Sequence, residues 1–176
     1  VAKGTDMLTV LRDFGPVVLI PAAWIAAGGS LFEYLSTDGI LIAHLVMAGF
    51  ITFFAVTGWE RMNEGALRAW RTVLVVGLVV TLAGIAGFLS PAYEQVLLTI
   101  SLVGWMLLPA AGLVYTGMQL PDGKVVYFGG GVLSVVGALL YGLSLVAESD
   151  ILVVLALGAV CLGQTAGIVD ASRRDR

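Results

Sequence analysis

The sequence predicts an all-α membrane protein in which six transmembrane helices form three repeated helical hairpins, with the N- and C-termini cytoplasmic. Three observations predict it: six apolar stretches of membrane-spanning length, basic residues confined to alternate connections, and small residues recurring at matching depth in every second stretch. The 176 residues are 59% apolar and only 12% charged, with a mean hydropathy of +1.01. That composition lies outside the range of water-soluble globular domains.

The apolar stretches are Val17–Leu35, Ile40–Trp59, Thr72–Leu89, Val96–Gly117, Val125–Val146 and Ile151–Val169. Each is close to the ~20 residues a helix needs to cross a hydrocarbon layer about 30 Å thick. Runs such as Val73–Val80 and Ile151–Gly158 are apolar on every side, unlike the alternating strands of a barrel. With no water to bond the backbone, a helix that satisfies its own carbonyls is the economical choice. Residues 1–16 form a tail, 17–172 a single transmembrane domain with repeats at about 17–71, 72–124 and 125–172, and 173–176 a second tail. No block outside the spans approaches the ~50 residues of an independent soluble domain, so function must lie in the bundle or its rims, and no nucleic acid partner is expected.

Taken in order, Thr5–Phe14 places Met7, Val10, Leu11 and Phe14 at helical spacing, away from Lys3, Asp6, Arg12 and Asp13. This suits a short helix lying on the membrane face. The first span could instead be a cleaved signal peptide, because basic residues precede it and small ones follow at Ala26 to Ser30. Pro16 and Pro21, and the repeat below, favour a retained span. In the connection 60–71, Glu64 and Arg68 are four apart, which predicts a helical segment. Pro21 and Pro109 each remove a backbone hydrogen bond and bend their helices. Cys161 has no partner and reads as a small packing residue.

Charge sets the orientation. Lys3 and Arg12; Arg61, Arg68 and Arg71; Lys124; and Arg173, Arg174 and Arg176 all fall on one set of connections. The other set carries Glu33, Asp38, Glu94, Glu148 and Asp150 and no Lys or Arg. The positive-inside rule then places both termini in the cytoplasm and makes the number of spans even. Trp59 and Trp70 on the basic side, and Tyr34 and Tyr93 on the other, suit interfacial anchors. Acid-rich loops with only two lysines suit a high-salt organism.

Self-similarity gives the repeat. Gly77, Gly84 and Pro91 are spaced by seven in the third stretch; Gly130, Gly137 and Ser144 match them 53 residues later, and Ala22, Gly29 and Ser36 match them 55 residues earlier. Lipid tails are as apolar as leucine, so membrane helices associate where small residues let backbones approach. The densest runs predict the tightest contact: Gly130, Ser134, Ala138 and Gly142 on the fifth helix, and Ala159, Gly163, Gly167 and Ala171 on the sixth.

The three hairpins, the two glycines spaced by seven before Pro91, and Gly104–Trp105 followed by Gly112 resemble the HdeD family of small six-span membrane proteins. The resemblance runs from about Val17 to Ser172. It implies a non-enzymatic inner-membrane protein associated with acid or general stress tolerance, and it carries over no catalytic residues.

Polar groups inside a membrane are the first functional suspects. His44, the only histidine, stands roughly 6 Å below the outer end of the second span at 1.5 Å per residue. With Glu33 or Asp38 across the outer turn it is a candidate proton-sensing site, against the plainer reading of a locally hydrogen-bonded imidazole. Gln164 can bridge helices by hydrogen bonds worth ~0.6 to 2 kcal/mol. Thr81, Thr99 and Ser101 are expected to bond back to their own helices. Trp24 and Trp105 sit deeper than the anchors and either pack or line a lipid or pigment groove. No span contains Asp, Glu, Lys or Arg near its middle, and a single histidine excludes a bis-histidine haem. No catalytic residue, metal site or cofactor is expected, nor a Ser–His pair at facing depths. The expected partners are lipid, a second copy or another membrane protein. A small channel or transporter, or a subunit of a larger complex, are the alternatives.

Overall fold

A computed structural model describes residues 7–174. Six helices account for nearly all of them: α1 (Met7–Leu31), α2 (Thr37–Gly58), α3 (Leu67–Leu89), α4 (Glu94–Gln119), α5 (Lys124–Ala147) and α6 (Asp150–Arg174). Five of the six, α2 to α6, are long and apolar enough to cross a membrane, and α1 contributes the shorter apolar segment Gly15–Leu31. Lys3 and the start of the expected tail helix lie outside the described residues. From Met7 onward the tail is continuous with the first span as one helix, and Pro16 and Pro21 lie inside it.

The helix ends follow from local chemistry. Glu33 and Glu148 adopt left-handed conformations (φ 59° and 50°) just past α1 and α5 and turn the chain out of the helix. Pro91 follows the end of α3, where it cannot continue the ladder. Ser36 caps α2, its Oγ accepting from the Gly39 amide at 3.2 Å. The connection 60–71 differs from the single helical segment expected. A 3-10 turn spans Arg61–Asn63, Glu64 is extended, and Gly65 has φ +56° before α3 begins. That reversal takes Glu64 and Arg68 out of one helical register, so the i,i+4 pair is not made. Past the last apolar stretch, Arg174 Nε donates to Asp170 Oδ2 at 2.6 Å, and this bond holds the Asp170 carboxyl below the usual carboxylate range.

Successive helices pack side by side and α1 returns to α6, so the six close a ring; α4 also touches α6 across the middle. The α5–α6 contact is the most extensive and the α1–α2 joint the thinnest. Volume is distributed inside out. On α5 the buried positions are Tyr127, Gly130, Gly131, Ser134, Gly137, Tyr141 and Ser144, while Val125 and Val146 are 87% and 83% exposed. Large aliphatic side chains over a whole outer surface cannot face water in a stable monomer. They suit lipid, and the chain is an apolar helical bundle of the integral membrane type.

Close approach is backbone to backbone where α5 meets α6. A methyl group on Gly130 would stand 2.5 Å from the Gly163 carbonyl oxygen, and one on Gly163 equally close to that of Gly130. Gly137 abuts the Ala156 carbonyl, and Gly167 receives the side chain of Leu113 from α4. Ser134 is fully buried and bonds back to the Gly130 carbonyl at 2.9 Å. The expected every-fourth-residue ladder is thus corrected in part. Ala138 and Ala159 are half-buried, and Gly142 is exposed with no atom within 4 Å of a Cβ. The seam repeats at seven residues, because alternating steps of three and four stay on one face of a 3.6-residue helix while steps of four drift off it.

This geometry separates the glycines by cost. Gly130→Ala and Gly163→Ala each drive a methyl into a fixed carbonyl and are expected to lower stability by about 1–3 kcal/mol, the usual range for overpacking. Gly142→Ala meets no atom and should leave stability unchanged or raise it by up to about 1 kcal/mol through helix propensity. Reversible denaturant titration in detergent micelles measures all three, and equal losses would contradict the seam.

Candidate functional site

A hydrogen-bonded chain of buried and half-buried side chains links α1, α6, α4 and α3, and it starts at a defect. Pro109 lies inside α4 and has no N–H, so the carbonyl four residues earlier, on Trp105, loses its helical partner. Gln164 of α6 supplies the replacement: its Nε2 donates to the Trp105 oxygen at 3.0 Å, with the Met106 oxygen at 3.5 Å. The other end of the same amide is also engaged, since Trp24 Nε1 of α1 donates to Gln164 Oε1 at 3.0 Å. Gln164 is 4% and Trp24 7% exposed. The amide therefore ties α1, α4 and α6 together in a setting where an unpaired polar group is costly.

The chain continues through Trp105. Its indole Nε1 donates to Thr81 Oγ1 of α3 at 3.0 Å, and the Thr81 hydroxyl donates to the Gly77 carbonyl at 2.9 Å. The benzo edge of the indole lies against Gly77, where a Cβ would meet the ring at 2.6 Å. Glycine is needed here for the ring to reach the threonine. The same arrangement recurs in the opposite sense: Trp70 of α3 donates to Thr116 of α4 at 3.0 Å, and Thr116 bonds back to Gly112 at 2.8 Å. A Gly-x-x-x-Thr pair on each helix thus accepts a tryptophan from the other. Trp24 is buried and Trp105 half-buried, and each donates its indole N–H to a partner inside the bundle.

A second polar cluster centres on Gly84. His44 Nδ1 donates to the Ile40 carbonyl of its own helix at 3.0 Å, which leaves Nε2 as the acceptor of the neutral ring. A Cβ on Gly84 would stand 2.8 Å from that Nε2 and 2.7 Å from Ser101 Oγ. Phe88 meets the imidazole edge-on, with centroids 5.2 Å apart. The histidine of α2 and a serine of α4 thus converge across α3, contrary to the expectation that no Ser–His pair shares a depth. The glycine is what lets them approach. Glu33 is exposed at the end of α1 and, like Asp38, makes no hydrogen bond with His44 among the described residues.

Among the described residues no three of His, Cys, Asp or Glu converge to hold a metal. What the arrangement does chemically is satisfy itself: both ends of the Gln164 amide and both indole N–H groups of the network have partners inside the bundle.

The proline defect makes a specific coupling. Gln164→Leu strands the Trp105 carbonyl and the Trp24 indole and should cost about 1–3 kcal/mol. In a Pro109→Ala background the helix regains an N–H for that carbonyl, so the same substitution should cost about 1 kcal/mol less. A double-mutant cycle read by unfolding in detergent checks this, and equal costs in the two backgrounds would show the freed carbonyl to be irrelevant.

Comparison with protein-family models, with curated proteins and with solved structures finds no match for this chain.

Proposed function

We propose that this chain is a non-enzymatic integral membrane protein that crosses the cell membrane six times, with both ends in the cytoplasm. It serves as a structural or accessory component, acting through contacts with lipid, with further copies of itself or with another membrane protein. The observation that carries this reading is the engagement of Gln164 at both ends, by Trp24 and by the Trp105 carbonyl. A bundle whose most polar buried side chain is consumed in joining its own helices is built to hold a shape. The alternation of basic and acidic connections supports the orientation. The glycine spacing that resembles the HdeD family supports a place in stress tolerance.

Orientation is tested by single cysteines in a Cys161→Ser background, labelled with a membrane-impermeant reagent on intact cells. Cysteines replacing Asp38, Glu94 and Glu148 are expected to react from outside, and those replacing Arg61, Lys124 and Arg173 only after permeabilisation. Labelling of Arg173 and Arg61 positions from opposite sides would give an odd number of crossings between them and overturn the topology. For the role, mass measurement after mild-detergent purification is expected to give a multiple of the 18.4 kDa chain or a defined complex with a second protein. A lone chain that conducts a solute across vesicles would overturn it.

A further inference from the structure

We propose that the arginine-bearing end of α2 binds the headgroup of an aminophospholipid, a lipid that carries both a phosphate and a primary ammonium. The inference rests on the membrane reading above and adds a specific ligand to it. An open hollow of about 650 Å³ lies here, lined by Ala55, Val56, Thr57, Trp59, Glu60 and Arg61. That volume falls within the ~300–1,000 Å³ of small-molecule sites.

Polarity is graded along the hollow in the order a lipid presents it. Ala55 and Val56 form the apolar end, with Val56 72% exposed; Thr57 and Trp59 follow; Glu60 and Arg61 close the polar end. The gradient runs over the last turn of α2 and the turn that follows it, a reach comparable to the ~5–8 Å of headgroup region on each side of the hydrocarbon layer. The Trp59 wall is held in place. The Arg71 guanidinium lies over its ring, 4.7 Å from the centroid, and Arg71 Nη1 donates to Asn63 Oδ1 at 2.5 Å. Arg71 is thereby committed to the wall, and Arg61 is the cation that faces the hollow.

The charge pair supplies the selectivity. Glu60 and Arg61 are adjacent in sequence and both exposed, and neighbouring residues on a helical turn do not face one another. Both line the hollow and no ion pair joins them, so a negative and a positive group are each left to a ligand there, the complement of a zwitterion. Phosphate is met by the guanidinium fork of Arg61, and a primary ammonium by the Glu60 carboxylate. A quaternary ammonium has no N–H to donate to that carboxylate, and a headgroup with phosphate alone leaves Glu60 facing negative charge.

The test uses the intact protein in mild detergent, with native mass spectrometry of bound phosphatidylethanolamine, phosphatidylcholine and phosphatidylglycerol of identical acyl chains. Phosphatidylethanolamine is expected to bind several-fold tighter than the other two. Arg61→Gln should weaken all three by about three- to tenfold, as loss of one charge-assisted bond does. Glu60→Gln should remove the preference for phosphatidylethanolamine over phosphatidylcholine and leave phosphatidylcholine binding unchanged. Arg173→Gln, outside the hollow, should alter none of them. Equal binding of the three lipids by the unaltered protein, or the same selectivity after Glu60→Gln, overturns the headgroup site. Both results leave the membrane reading intact; that reading fails instead if the protein stays dispersed without detergent.

Discussion

A single carbonyl sets the terms for the rest of the bundle. Trp105 has an oxygen that its own helix cannot satisfy, because Pro109 brings no hydrogen one turn later. In water the defect would be mended by solvent; inside a membrane it must be mended by another helix. Gln164 does so, and because an amide has two ends its oxygen is then free to take the Trp24 indole. The repair of one helix thus becomes the attachment of another. Around this bond α1 packs through Trp24, Ile20 and Ala27 against the cluster of Ala156, Leu157 and Val160 on α6, and its contact with α2 is slight. The kink, the amide and the docking of the first helix are one physical unit.

Around that unit the packing follows a single device used with different reach. A glycine and a hydroxyl residue four positions on lie on one face, and the hydroxyl bonds back to the glycine carbonyl at Gly77–Thr81, Gly112–Thr116 and Gly130–Ser134. Between α3 and α4 the space above each glycine admits an indole, and the hydroxyl doubles as its acceptor. Between α5 and α6 no indole intervenes and the backbones themselves meet at Gly130 and Gly163. Thr81 and Ser134 stand 53 residues apart in sequence and are both fully buried. The second and third hairpins therefore share the motif and differ in what fills it, and this difference accounts for the closer fit of α5 on α6.

Much of this architecture was legible because it depends on composition and on period. The reversal at Gly65 was hidden behind the helical spacing of Glu64 and Arg68, whereas the apolar stretches and the glycines of the α5–α6 seam announce themselves in one dimension. Gly142 did not, since a spacing of four and a spacing of seven share Gly130 and diverge only two turns later. The role of Gln164 was legible as helix joining, but its target was not: a proline marks which carbonyl is freed, and only the fold says which distant amide reaches it. The meeting of His44 and Ser101 was hidden for the same reason. Their depths are set by where α2 and α4 start, and their approach by the absence of a side chain on Gly84. Signals that require two helices to be superposed in depth are invisible until the turns between them are known.

The distribution of these contacts is uneven, and the unevenness locates the surface open to the surroundings. Polar and backbone contacts concentrate on α3 to α6 and draw in α1 through Trp24. By contrast α2 is the least buried of the five long helices, held to α3 by the His44 cluster and by Met47 beside Thr81. Its far face carries Val46, Gly49, Phe50 and Phe53 around a shallow apolar depression, and its end carries Trp59, Glu60 and Arg61. A helix held on one side presents the other to whatever surrounds the bundle. In a membrane that is acyl chain along most of its length and headgroup at the end, which is the order in which α2 passes from valine and phenylalanine to tryptophan, glutamate and arginine.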